Sequence, residues 1–209
     1  KKSYYIIKGG KFNHPKKYLD CGNSGTTARL LTGLLAGQGI RATLIGDKSL
    51  SIRPMKRIID PLTLMGLELS SNENKLPIQI KPSKLHGINY VSSISSAQVK
   101  SAVILAGIGA TESTSYTEPI LSRNHTEIIL KKIGVNIKTS NLKTSVSKIG
   151  GKLKPFNLNI PGDPSSAAFF AAGSAMIKNS KITLKSISGN NTRLGFYNIL
   201  EKMGATIIK

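Results

Sequence analysis

Tryptophan is absent and cysteine occurs once, at Cys21. A single cysteine excludes an intrachain disulfide and any metal site built on a cysteine cluster. Its place in an apolar extended segment reads as a buried, inert thiol. His14, His86 and His125 show no metal-ligand spacing, so no metal is expected. Acidic residues are scarce: 10 Asp and Glu stand against 30 Lys and Arg, a formal net charge of +20. That balance favours anionic partners, whether nucleic acid, phosphorylated metabolites or an acidic membrane surface. The excess is mostly lysine, scattered rather than in blocks. Aromatics are few, with 6 Tyr and 5 Phe, which argues against the stacking platforms of a nucleic-acid binder. There is no signal peptide and no apolar run long enough to cross a membrane. A soluble chain of a reducing, cytoplasmic compartment is expected, with neither nucleic acid nor membrane as partner.

What is there centres on Leu19–Gly37, LDCGNSGTTARLLTGLLAG. An extended entry runs through Cys21 into a small-residue turn, Gly22 to Gly25. A helix-period apolar run follows, with Ala28, Leu31 and Leu35 on one face and Leu30 and Leu34 beside it. At such a helix start the backbone N–H groups are unpaired and the dipole is positive, so an anion fits there. Gly25 lacks a Cβ and lets a ligand approach the backbone. A glycine turn that merely reverses the chain has the same pattern.

The pattern recurs. The arginines Arg53, Arg123 and Arg193 are 70 and 70 residues apart, and Gly37 and Gly107 are 70 apart. The helix-ending glycines Gly66, Gly134 and Gly204 are 68 and 70 apart. Agreement of independent landmarks on one period marks an internal repeat. Each unit reads as β-α-β-α-β. In the first, strand 40–45 follows the opening helix, then a polar loop (46–52), a second helix that Pro61 starts or kinks, and strand 67–71. The second unit has its small polar turn at 92–98, helix 99–107, strand 113–116, loop 118–125, helix 127–134 and strand 135–137. The third has strand 156–160, the turn at 161–166, a helix from Ala167, strand 181–184, loop 186–193 and helix 196–204. Segments 72–84 and 139–155 read as strand-and-turn linkers. The second of them carries Gly150, Gly151 and Pro155 and marks a boundary between residues 1–155 and 156–209. Lys1 is not a start methionine, and the chain stops on a strand just begun, so a piece of a longer protein is expected.

Packing such units around a common axis would bring turns and loop arginines to one rim. The physical result is an anion site of helix starts, hydroxyls and guanidinium forks, with Arg53 and Arg123 as bidentate clamps for carboxylate or phosphate. Arg193 keeps the repeat's structural role. Asp163 is expected to cap the helix that follows it.

The segments LDCGNSGTTARLLTGLLAG, GDKSLSIRPMKR, SSAQVKSAVILAG, EPILSRNHTE and PGDPSSAAFF resemble, in order and over essentially the whole chain, the 5-enolpyruvylshikimate-3-phosphate synthase (3-phosphoshikimate 1-carboxyvinyltransferase) family. The resemblance implies an α/β (α+β) fold of repeated βαβαββ units, of the enolpyruvyl transferase inside-out barrel type. Two lobes are implied, both incomplete here: residues 1–155 match two of three units of the first lobe, and 156–209 the first unit of the second. It also implies substrate contacts. Gly25 matches a backbone donor to phosphoenolpyruvate, with Asn23, Thr26 and Arg29 behind it, and Arg53 matches an arginine for the same substrate. Ser96, Ala97 and Gln98 match contacts of shikimate 3-phosphate, Gln98 facing phosphoenolpyruvate as well. Ser122 and Arg123 match the segment that holds the 3-phosphate. Asn124 stands where the family usually has aspartate.

The implied reaction moves the enolpyruvyl group of phosphoenolpyruvate to the 5-hydroxyl of shikimate 3-phosphate, in aromatic amino acid biosynthesis. It implies no cofactor, no metal and a monomer at full length. The family's proton-transfer lysine precedes the matched region and its carboxylates follow it. No catalytic residue is therefore assigned here, and the piece alone is expected to be inactive. Two related families fit less well. UDP-N-acetylglucosamine enolpyruvyl transferase often carries a reactive cysteine before its Arg-Pro, where this chain has GDKSLSI. RNA 3′-phosphate cyclase needs a catalytic histidine, and none of the three histidines lies in a nucleotide-site context. A non-catalytic polyanion or RNA binder is the reading that the charge alone would favour.

Overall fold

The computed structural model describes residues 4–208; Lys1 and Lys209, on which the reading of the chain ends drew, lie outside them. Two units repeat one path. The first runs β1 (Leu19–Asp20), α1 (Gly25–Gly37), β2 (Ala42–Ile45), α2 (Lys48–Ser51), α3 (Lys56–Leu64), β3 (Leu69–Asn72) and β4 (Lys75–Ile80). The second runs β5 (Asn89–Val91), α4 (Ala97–Gly107), β6 (Thr114–Thr117), α5 (His125–Lys132), β7 (Ile137–Ser140) and β8 (Lys143–Val146). Each forms a four-stranded sheet, β1-β2-β4-β3 and β5-β6-β8-β7, in which only the first pair is parallel. The βαβαββ path is therefore complete twice, with α2 as an added turn of helix.

This corrects the shorter β-α-β-α-β unit read from the residues. The segments taken for linkers contribute β4 and β8, which lie inside their sheets. In β4 the buried residues Leu76, Ile78 and Ile80 alternate with exposed ones, the pattern of a half-buried strand. The loop at 46–52 holds the helical turn α2, because Asp47 accepts the Leu50 N–H at 2.7 Å and Leu50 is fully buried. Pro61 does not start α3, which begins at Lys56 and runs through it.

The helices cover the sheets and share one core. It joins Leu44, Leu62 and Ile78 of the first unit to Val103, Ile104 and Tyr116 of the second. The seam between the units is α1 against α4, and the face of α1 that meets it is made of small residues. Its most buried positions include Thr32 and Gly33, while Leu30, Leu31 and Leu34 are only partly covered. A Cβ on Gly33 would stand 2.1 Å from the Ala102 carbonyl oxygen, and one on Gly37 would stand 2.7 Å from that of Leu105. The two helix backbones thus touch, which only glycine permits. The glycines that end α3, α5 and α7 (Gly195–Lys202) share left-handed backbones, at φ 90°, 94° and 98° for Gly66, Gly134 and Gly204. This is the helix-terminating geometry that the repeat led one to expect.

The third unit keeps its helices and lacks its sheet. Helix α6 (Pro164–Met176) and α7 form, but residues 156–160 and 181–184 are not strands. An isolated bridge between Gly162 and Ile187 is what remains of the expected pairing. The shared core holds no residue of this unit, and Phe169, Phe170 and Met176 on α6 are exposed.

Candidate anion site at two paired helix starts

Two helix N-termini lie side by side in the first two units. Ser24 caps α1 by accepting the Thr27 N–H at 3.1 Å, and Ser96 caps α4 by accepting that of Val99 at 3.4 Å. The first helical residues are Gly25 and Ala97, and the second ones bond each other: Gln98 Nε2 donates to Thr26 Oγ1 at 2.8 Å. Neither helix carries an acidic residue in its first turn. Two positive dipole ends are thus brought together without a compensating carboxylate on either helix.

Arginines add to that charge. Arg29 Nη1 donates to Gln98 Oε1 at 2.7 Å, and Nη2 to the Pro54 carbonyl at 3.2 Å. Burial, with Arg53 and Arg57 nearby, lowers the Arg29 guanidinium from its usual value. Arg53 Nη2 donates to Asn23 Oδ1 at 2.7 Å and to Ser49 Oγ at 3.2 Å. Asn23 in turn donates from Nδ2 to Asp47 Oδ2 at 2.7 Å. That bond, with the Leu50 N–H and Arg53, holds the Asp47 carboxyl below its usual range. Asn23, Thr26 and Arg29 therefore tie the turn together.

A cleft of about 460 Å³ adjoins this group. Ser95 to Gln98 form one wall, Ser122 and Arg123 the other, and Thr192 of the third unit closes a side. Ser122 Oγ is buried and lacks a hydrogen-bond partner among the described residues, so it can serve an added acceptor or donor. The structure brings Ser96, Ala97, Gln98, Ser122 and Arg123 to this cleft, with Gly25 and Arg53 on the neighbouring helix start and loop. It does not bring Arg193 into the group. Arg193 pairs with Asp163 and reaches Ser165 Oγ at 2.9 Å, while Asp163 caps α6 through the Ser165 N–H. Asn124, whose side-chain oxygen accepts from Asn190 Nδ2 at 2.9 Å, joins the second unit to the third. Cys21 is buried, and burial followed by Asp20 raises its thiol, as an inert cysteine requires.

Sequence reasoning did not find Thr192, Asp47 or Lys100. The polar loop that carries Thr192 gave no sign of it. Asp47 could have been read as a helix cap two residues after a strand. Lys100 sits within a run otherwise read as apolar, and it is 1% exposed.

The family model described as EPSP synthase (3-phosphoshikimate 1-carboxyvinyltransferase) matches residues 1–209. A 3-phosphoshikimate 1-carboxyvinyltransferase of Thermodesulfovibrio yellowstonii is 50% identical over 97% of this chain and 48% of its own length. One of Bacillus subtilis is 47% identical over 92% of this chain and 45% of its own length. The solved EPSP synthase of Acinetobacter baumannii superposes with a TM-score of 0.81 at 43% identity, covering 91% of this chain and 43% of that one. The chain spans about half the length of the curated relatives it matches.

Proposed function

Since the chain belongs to the EPSP synthase family, we propose that it binds shikimate 3-phosphate and phosphoenolpyruvate as part of an enolpyruvyl transferase. The observation that carries this reading is the pair of helix starts joined by Gln98 and Thr26, flanked by Arg29 and Arg53 and without acid in either first turn. Such a site is built for carboxylate and phosphate groups. The Gly25 backbone and Arg53 take phosphoenolpyruvate. Ser96, Ala97 and Gln98 line shikimate 3-phosphate, and Ser122 and Arg123 hold its 3-phosphate.

In the reaction, the 5-hydroxyl oxygen attacks C2 of phosphoenolpyruvate while C3 gains a proton. That attack forms the ether C–O bond of a tetrahedral adduct as the hydroxyl gives up its proton; the C2–O bond to phosphate then breaks, and C3 gives up a proton to restore the C2–C3 double bond. The residues named here bind, orient and stabilise negative charge. They include no acid–base pair for the two proton transfers, so these 209 residues alone bind without turning over. Residues 1–155 act as two units of one lobe and 156–209 as the first unit of another. The partners are the two small anions, in a monomeric cytoplasmic enzyme, with no role for nucleic acid or membrane.

Calorimetric titration tests this. Shikimate 3-phosphate should bind the chain, and Arg123→Ala should abolish the heat. No binding of shikimate 3-phosphate, with salt-sensitive binding of a short RNA instead, would favour the polyanion reading that the +20 charge supports. Steady phosphate release from both substrates would overturn the claim of inactivity.

A further inference from the structure

Lys100 is on α4, one turn beyond Ser96, and its side chain is almost wholly buried. Its Nζ lies 2.8 Å from Glu118 Oε1 and 2.7 Å from Glu127 Oε1, and both glutamates are buried as well. Glu118 directly follows β6, and Glu127 is in the first turn of α5. Between them runs the segment that carries Ser122 and Arg123. One lysine on the helix of Ser96–Gln98 therefore grips both ends of the segment that forms the opposite wall of the cleft. Lys100 Nζ donates a hydrogen bond to Glu118 Oε1 and faces Glu127 Oε1 as an ion pair without hydrogen-bond geometry; Glu118 Oε2 and both Glu127 oxygens accept no hydrogen bond among the described residues, so Lys100 is the cation that these carboxylates share. Two neutral contacts act in the same sense: Ser101 Oγ and Thr126 Oγ1 are 2.7 Å apart, and Ser95 Oγ donates to the Ile120 carbonyl at 2.8 Å.

A buried ion pair is a poor device for stability, because desolvation offsets much of its attraction. Its directional, water-excluded contacts are better suited to fixing one geometry. We propose that Lys100, with Glu118 and Glu127, is a positioning residue: it sets the distance between the Ser96–Gln98 wall and the Ser122–Arg123 wall, and so the fit of the phosphorylated ligand. The proposal rests on the assignment of shikimate 3-phosphate to this cleft.

The test uses the 209-residue chain and three variants. Glu118→Gln and Glu127→Gln each leave one lysine facing one carboxylate, so no unpaired buried cation is created. Lys100→Met with both glutamines removes all three charges at similar volume. Amide hydrogen exchange at Ser122 and Arg123 should quicken in each variant, while exchange in β6 and at Gly25–Thr27 stays as in the parent. Affinity for shikimate 3-phosphate should fall about tenfold in the triple variant, the scale expected when a supporting shell lets a binding group move. Unchanged loop exchange and unchanged affinity in a folded variant would overturn the proposal. If the triple variant does not fold, the two single variants decide by the same exchange measurement. If the parent chain binds no shikimate 3-phosphate, the ligand assignment fails, and loop exchange alone then tests the positioning role.

Discussion

Arg29 and Gln98 are 69 residues apart in sequence and meet at 2.7 Å, guanidinium to side-chain carbonyl. The contact joins the first unit to the second at the mouth of the site. It also fixes the amide of Gln98 so that its nitrogen faces Thr26.

Arg29→Ala should leave Gln98 free to turn. Affinity for phosphoenolpyruvate in the presence of shikimate 3-phosphate should drop about tenfold, the scale of one charge-assisted hydrogen bond. Calorimetry on the pair checks it, and equal affinities would show that Gln98 is held by other means.

Asp47 gives stability a dependence on acid. Its folded carboxyl lies below the ordinary 3.8, chiefly through the Asn23 hydrogen bond. A depressed carboxylate contributes stability above its unfolded value and loses it as pH falls through the folded one. The melting-temperature difference between the parent and Asp47→Asn should therefore be constant near neutral pH and close below the ordinary value. A gap that widens on acidification would contradict this sign.

Gly33→Ala should be costly. The added Cβ would meet the Ala102 backbone, which cannot swing aside as a side-chain end can. A loss of about 2–4 kcal/mol is expected from overpacking at a helix–helix contact. Urea denaturation measures it. Alanine at Gly173, where nothing lies within 4 Å of the added Cβ, is the control.

Leu50→Ala should couple stability to the site. Leu50 is fully buried and anchors the turn between Asp47 and Arg53. A loss of about 2–5 kcal/mol follows from the cavity, and phosphoenolpyruvate binding should weaken because the Arg53 loop loses its footing. Equal binding in a folded variant would show that the loop is held by Asp47 alone.

Much of this was legible in the chain itself, for definable reasons. The arginine and glycine landmarks exposed the repeat because each marks a fixed point of backbone geometry, and the three left-handed glycines now show that geometry. Strands β4 and β8 were misjudged because a strand's place in a sheet depends on partners distant in sequence, which alternation does not name. Residues 156–160 alternate equally well, yet 181–184, which stands where β2 would pair with them, is not a strand either, and among the described residues no strand follows α7. Lys100 was hidden for a different cause. Its partners Glu118 and Glu127 lie far along the chain, and nothing local distinguishes a buried lysine from a solvated one. The sparse aromatics also understated one stretch: Tyr4, Tyr5, Phe12 and Tyr18 lie among four lysines and are exposed.

The glycine seam of α1 and α4 has a mechanical consequence. Side-chain packing can yield by changing rotamers, but backbone resting on backbone has no such slack. The first two units must then travel as one plate, and the spacing of their helix starts is a property of the main chain. Any closing motion around a ligand then has to be taken up outside this seam, not within it.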